Sequence, residues 1–216
     1  MIQNEIWKSL TDPQRAQLLS AARTLDLKRG DFVYRQGDQP KGLYFVEKGL
    51  VGLMLLGPNS GKEHLVRFFR EGHFFGHRAL FSQEGYHGNA LALDTTRLKM
   101  LPSQSIRDLL EQNPKIYRNF VEVLCRELRR AEIQHVLILE NEVKARTALA
   151  LVYLKELHPD HQWTRQEIAN FTASTAPTVI KTLAELENLG LIRQDGRSIE
   201  ILNRDGLIAL QDTETN

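Results

Sequence analysis

Between Asn113-Pro114 and Glu142 the chain runs for roughly 28 residues without an internal proline or glycine. At about 1.5 Å per residue this is a helix about 40 Å long, too long for one small core. Val121, Leu124, Leu128, Ala131, His135 and Ile138 recur along it at spacings of three and four, the pattern of a coiled-coil seam. Arg126, Glu127, Arg129 and Arg130 leave one narrow apolar face, so the expected partner of that face is a second copy of the chain, the alternative being that the stripe packs on the β-rich region. His135 is expected as a hydrogen-bonded seam residue, and Cys125 as a small buried apolar group beside it.

The sequence on either side of this helix has a different character. Residues 1–29 read as a short helical lead-in, with Ile6, Leu10, Leu18, Leu19 and Leu25 apolar and a fresh helix start at Thr11-Asp12-Pro13. From Gly30 to about Leu101, glycines punctuate short β-rich runs: Phe32–Tyr34, Leu43–Val46, Val51–Leu56, His64–Phe69 and Asn89–Leu93. Such spacing predicts an antiparallel sandwich or barrel. Gly57-Pro58-Asn59-Ser60-Gly61 forms a hairpin loop within it. Pro102-Ser103 opens a short helix through Leu110, and Lys144–Leu157 reads as an amphipathic helix ended by His158-Pro159-Asp160.

The segment 163–192 is the most informative. Thr164 with Glu167 three residues later makes a capping box. A short helix follows, then the turn Thr172-Ala173-Ser174, then a second helix capped by Thr175 with Pro177 in its first turn. Val179, Leu183, Leu186 and Leu189 supply its core face, Gly190 closes it, and Asp195-Gly196 signals a hairpin. This is a winged helix–turn–helix. In that motif the second helix enters the major groove while flanking groups hold phosphates. Thr175–Leu183 contains no acidic side chain, Lys181 points away from the core face, and Thr175 and Thr178 offer hydroxyls. Arg165 on the first helix and Arg197 on the wing are expected at the DNA backbone.

Charge neither demands nor forbids this reading. The 216 residues carry a net +1, but residues 145–216 hold seven basic and ten acidic side chains, a net of −3. That leaves open a protein-binding module with a vestigial winged helix; for DNA, the local face matters more than the sum. Other classes are excluded more firmly. Hydrophobic residues at 42% and charged residues at 25% describe an ordinary globular protein. No apolar run approaches the roughly 18–20 residues of a membrane span, and the N-terminus lacks the apolar core of a signal peptide. With Cys125 alone, an internal disulfide and a cysteine-ligated iron–sulfur cluster are ruled out, and a cytoplasmic location is expected. No glycine-rich phosphate loop with lysine, nucleophile elbow or HExxH is present, so no catalytic residue is assigned and an enzyme is not expected.

The runs RGDFVYRQGD, GLYFVEKGLVGL and FFREGHFFGHRALF, followed by the long helix and by TRQEIAN, TVIKTLAELENLGLI and GRSIEIL, resemble the cyclic-AMP receptor protein / fumarate–nitrate regulator (Crp/Fnr) family of bacterial transcription factors. The resemblance spans essentially the whole chain. It implies an α+β protein: an antiparallel β-roll of the cyclic nucleotide-binding type (a double-stranded β-helix) with flanking helices over 1–113, a dimerisation helix over 114–143, and a winged helix–turn–helix over 144–216. It further implies a homodimer on double-stranded DNA with a two-fold operator, RNA polymerase as a partner, and a small effector in the roll or none. Family phosphate contacts fall on Arg165, Thr175 and Thr178, and base-edge contacts on Ala176, Pro177 and Lys181. The family commonly has Arg and Glu where Ala176 and Pro177 stand, so a more A·T-rich half-site is expected, with Ala176 limited to apolar contact such as a thymine methyl.

The same resemblance places the effector site at Gly76, His77, Arg78, His87, Gly88 and Asn89, with Ala131 and Glu132 from the long helix. His77 stands for the family's ribose-binding Glu, Gly88-Asn89 for its phosphate-binding Arg-Ser, and Ala131-Glu132 for the Thr-Ser against adenine. These departures argue against ordinary cyclic AMP; either Arg78 and His87 rebuild an anion site for another nucleotide-type effector, or the pocket is empty or filled in and Arg78 is solvated. Four roll histidines, His64, His73, His77 and His87, keep a haem or metal sensor as an alternative, but their spacing assigns no metal ligand.

Overall fold

In the computed structural model, residues 7 and 9–211 are described; Ile6 of the expected lead-in lies outside them. The chain forms two compact units. One comprises residues up to Gly61 together with Val66–Arg129, the other Lys62–Leu65 with Arg130 onward.

The first unit opens with α1 (Asp12–Ala21), started by the capping box of Thr11 and Gln14 with a proline in its first turn. The helical lead-in ends there. Arg23–Leu27, expected to be helical, is strand β1. Its reason is the alternation Thr24-Leu25-Asp26-Leu27, which turns Leu25 and Leu27 inward against the sheet core and leaves Asp26 to pair with Arg97 across the ladder at 2.6 Å. The strands that follow are β2 (Phe32–Tyr34), β3 (Gly42–Lys48), β4 (Leu50–Leu56), β5 (Glu63–Arg70), β6 (Phe74–Phe75), β7 (Asn89–Ala92) and β8 (Thr96–Pro102). They form two four-stranded sheets, ordered β1-β8-β3-β6 and β2-β7-β4-β5, in which β1 with β8, β8 with β3, β3 with β6, β2 with β7 and β7 with β4 pair antiparallel. β1, β6 and β8 add to the strands visible in the glycine-punctuated pattern.

Between the sheets, Tyr34, Tyr44, Val46, Val51, Leu53, Phe69, Phe75, Tyr86, Ala90 and Leu98 make the roll core. A second core joins the roll to helices α3 (Ser103–Gln112) and α4 (Lys115–Glu140) through Leu43, Phe74, Leu101, Ile106, Leu109, Leu110, Ile116, Phe120 and Val123. Short α2 (His77–Ser82) follows β6 directly.

α4 is the predicted long helix, 26 residues from Lys115 to Glu140. The roll takes its stripe Ile116, Phe120, Val123 and Glu127, all buried. The expected seam is a different stripe: Val121 and Leu128 are 54% and 61% exposed, Ala131 and His135 are exposed, and Leu124 and Ile138 are half-buried. Ile133, Val136, Leu137 and Leu139 are exposed too, so the apolar surface is broader than one narrow face. Two expectations are corrected here. Glu127 does not belong with the solvated charges, because it falls on the buried i, i+4, i+7, i+11 stripe. Cys125 is exposed, not buried, because two residues from either Val123 or Glu127 turns it to the opposite side of the helix.

The second unit contains α5 (Val143–Leu157), α6 (Arg165–Phe171), α7 (Ala176–Asn188), the hairpin β9 (Ile192–Asp195) and β10 (Ser198–Ile201), and α8 (Arg204–Ala209). Ala148, Leu151, Leu154, Ile168, Val179, Leu183, Leu186, Ile192, Ile199 and Leu207 form its buried interior. Trp163 Nε1 donates to the Leu154 carbonyl at 3.1 Å, fixing the entry to α6 against α5.

Candidate functional site

Two sites emerge, one in each unit. In the second, Thr164 accepts from the Glu167 amide while the Glu167 carboxylate accepts from the Thr164 amide, the predicted capping box. α6 ends in a left-handed residue, Ala173 (φ 53°), and the Ser174 amide donates back to the Ala169 carbonyl at 2.9 Å. Thr175 caps α7, its Oγ1 accepting from the Thr178 amide and lying 2.7 Å from Thr178 Oγ1. The buried face of α7 is Val179, Thr182, Leu183 and Leu186. Its exposed face is Pro177, Thr178, Ile180, Lys181 and Ala184, with Ala176 half-buried. Sequence reasoning missed Ile180. A 55% exposed β-branched residue beside Lys181 is a visible signal, because the core spacing already leaves it outside.

Arg165 is not a free cation on α6. It donates to the Arg197 carbonyl at 2.7 Å, to Gln194 Oε1 at 2.8 Å and to the Gly196 carbonyl at 3.2 Å. Gln194 in turn donates through its amide and its side chain to the Glu187 carboxylate, at 2.6 and 3.1 Å. The start of α6, the end of α7 and the wing are thus pinned together, and the Arg165 fork is used on carbonyl oxygens. Asp195 pairs with Ser198, so the two-residue turn is Gly196-Arg197 rather than Asp195-Gly196, which puts the exposed Arg197 at the wing tip. Lys181 lies 4.0 Å from Glu185 one turn on and is 81% exposed.

In the first unit, a cavity of about 20 Å³ lies against β4, β5 and α2, lined by Tyr34, Leu53, Arg67, Phe69, Gly76, His77, Arg78, Ala79, Tyr86 and His87. That is room for about one water molecule. Tyr34 and Tyr86 stack over it at 3.6 Å, and burial first of all pushes both phenols up, so they are neutral. Gly76 caps α2 with φ 89°, and a Cβ there would approach the Gly42 carbonyl and the Tyr44 ring at 3.1 Å.

The cations of this cavity converge on one group. The Glu127 carboxylate lies 2.5 Å from Arg67, 3.3 Å from His77 and 3.3 Å from Arg78. Burial alone would raise its pKa, but the His77 hydrogen bond and charge and the Arg67 guanidinium outweigh that and hold it down to about 2. The His87 ring on the rim is held below the ordinary imidazole range by partial burial, then by the charges of Arg78 and Arg67.

The structure brings Gly76, His77, Arg78 and His87 together as expected for one pocket, and it adds Arg67 and Glu127. Gly88 and Asn89 stand outside the lining of this cavity, and each has a structural role. A Cβ on Gly88 would come within 2.6 Å of the Met54 carbonyl, so this residue serves close strand packing. The Asn89 side chain accepts from the Gln36 amide at 2.9 Å. Ala131 and Glu132 are exposed on α4, in the other compact unit. Arg67 was legible as a charge between Val66 and Phe68 in an apolar strand, and Glu127 as the one acid on the Ile116-Phe120-Val123 stripe. Among the described residues, no group of three or more His, Cys, Asp or Glu is arranged to hold a metal ion, and no helix is long and apolar enough to cross a membrane.

Comparison with known proteins finds a family domain in each unit. Residues 24–113 match the cyclic nucleotide-binding domain, and residues 145–210 match the Crp-like helix-turn-helix domain. The chain is 26% identical over 201 residues to a CRP-like cAMP-activated global transcriptional regulator of Mycobacterium tuberculosis, covering 89% of each. It is 26% identical over 193 residues to the transcriptional activator protein anr of Pseudomonas aeruginosa, covering 85% of this chain and 78% of that one. A solved Crp/Fnr-family transcriptional regulator from Thermus thermophilus shares 29% identity with a TM-score of 0.73, covering 88% of this chain and 98% of that chain. With a β-roll sensor unit, a long helix and a winged helix–turn–helix in this order, the chain belongs to the Crp/Fnr family of DNA-binding transcription regulators.

Proposed function

We propose that the protein acts as a homodimer on a two-fold DNA operator, with the exposed apolar stripe of α4 as the seam and α7 as the base-reading helix. The observation that carries this reading is the acid-free outer face of α7, where Pro177, Ile180 and Lys181 stand exposed above a helix capped by Thr175. Ala176, Pro177 and Ile180 offer apolar contact of the kind that reads thymine methyls, and Lys181 offers one base-edge or phosphate contact. Thr175, Thr178 and Arg197 hold phosphates, while Arg165 acts through the wing it braces. Two such helices related by a dyad meet half-sites about 34–36 Å apart.

The roll cavity is the effector site, and Arg67 and Arg78 suit a nucleotide-type or other anionic effector. The departures at Gly88-Asn89 and the small cavity disfavour ordinary cyclic AMP. Bound at its operator in the cytoplasm, the dimer meets RNA polymerase. Selection of DNA from random sequence by the purified protein tests the reading, with and without a panel of cyclic mono- and dinucleotides. The expected product is a symmetric, T-rich half-site pair whose enrichment falls on replacing Lys181 with Ala. Enrichment of TGTGA-type half-sites, or none of any kind, overturns it.

A further inference from the structure

Glu127 is a buried carboxylate with no part in DNA reading, and it occupies the cations that the effector-site reading needs. The cluster draws on three elements: Arg67 from β5, His77 and Arg78 from α2, and Glu127 itself from α4. We propose that Glu127 is a resident counter-anion, and that a phosphate-bearing effector works by competing with it for Arg67 and Arg78. This rests on the reading of the cavity as the effector site. The cavity holds about one water molecule beside those guanidiniums. An incoming phosphate therefore has to draw the arginines away from Glu127 instead of adding to a space already open. Arg78 is the first point of exchange, since its side chain is 40% exposed and its contact is the longer one, 3.3 Å against 2.5 Å for Arg67.

The competition has a mechanical consequence. Glu127 sits on the stripe that fastens α4 to the roll, and α4 runs on without a break from Lys115 to Glu140. Phosphate on Arg67 and Arg78 takes two of the three partners of Glu127 and leaves the His77 contact, with the apolar contacts of Ile116, Phe120 and Val123, to hold the helix. Occupancy of the roll is thereby read directly by the helix that leads to the DNA-binding unit.

Titration of inorganic phosphate into the full-length protein, followed by the Nε resonances of Arg67 and Arg78, tests this. Glu127→Gln keeps the shape and removes the competing charge, so phosphate affinity is expected to rise about tenfold, within the usual range of coupling between sites. Glu127→Asp keeps the charge but shortens the arm, and gives a smaller rise; this variant serves if the Gln protein does not fold. In either background Arg67→Met abolishes the binding. Equal or weaker phosphate binding in both Glu127 variants, still lost with Arg67→Met, overturns the competition and leaves the effector site standing. No phosphate binding to any of these proteins overturns the site and the competition together.

Discussion

Arg165 and Glu187 never touch, yet both close on Gln194: Arg165 donates to its Oε1 at 2.8 Å, and Glu187 accepts from its side-chain nitrogen at 3.1 Å. The wing is held by this relay and by the Gly196 and Arg197 carbonyls. Arg165→Ala removes all three donors. Hydrogen bonds to charged groups contribute about 1.5–3 kcal/mol each at most, and the exposure of this cluster puts the net loss at the low end. Amide exchange in residues 196–199 should quicken and operator affinity fall severalfold. Arg165→Lys should not restore either, because a single ammonium cannot replace the planar fork.

Glu127 makes acid stability a readout of the sensor site. Its carboxyl titrates near 4.5 when exposed and at about 2 when folded. A depressed carboxyl stabilises the fold above its unfolded pKa, and that contribution is lost as pH falls from about 4.5 toward 2. At neutral pH the shift corresponds to about 3 kcal/mol. Urea unfolding of the wild type and Glu127→Leu across pH 6 to 3 should show two curves that converge as the pH drops. Parallel curves would mean that the carboxylate is not held by His77 and Arg67.

How much of this was legible beforehand follows from where each signal is local. The capping box at Thr164 and Glu167, the Thr175 cap and the wing lie within a few residues of their partners, so the helix–turn–helix could be read directly. β1 could not, because Thr24-Leu25-Asp26-Leu27 pairs with Leu98 and its neighbours about 70 residues away. The Glu127 cluster is hidden for the same reason: Arg67, His77 and Glu127 become one site only after the roll closes on α4. The packing role of Gly88 is hidden in the same way, because no pattern within the chain reports that a Cβ there would meet the Met54 carbonyl.

Leu128 at 61% exposure and Val136 at 46% cost nothing to the monomer's core if replaced. Leu128→Glu with Val136→Glu should leave the far-UV circular dichroism unchanged and give a monomer in sedimentation velocity where the wild type gives a dimer, with a thermal midpoint that no longer depends on protein concentration. Operator affinity should fall with it, since one half-site contributes only part of the phosphate contacts.

Ala173 carries a cost that the fold tolerates. It holds φ 53° at the end of α6, where an L-residue with a Cβ is disfavoured by about 1–2 kcal/mol and glycine is not. Glycine loses more chain entropy on folding, about 0.5–1 kcal/mol. The balance predicts that Ala173→Gly stabilises the second unit by up to about 1 kcal/mol in denaturant unfolding, with DNA affinity unchanged.

Ile180 and Lys181 stand side by side on α7 and should separate shape from charge in DNA binding. Ile180 is 55% exposed and carries no charge, so Ile180→Ala should weaken binding to the selected T-rich site and leave random DNA unaffected. Loss of one good base contact is worth about 1–3 kcal/mol, and a lone apolar contact sits at the lower bound. The slope of log affinity against log salt should stay the same. Lys181→Ala should instead lower that slope by about one if its ammonium neutralises a phosphate. If it reads a guanine, specificity at one base pair relaxes with the slope little changed. The pairing with Glu185 at 4.0 Å is too long and too exposed to hold Lys181 back from either role. A double variant whose salt slope equals that of Lys181→Ala alone, with the discrimination lost through Ile180, would assign charge and shape to separate side chains.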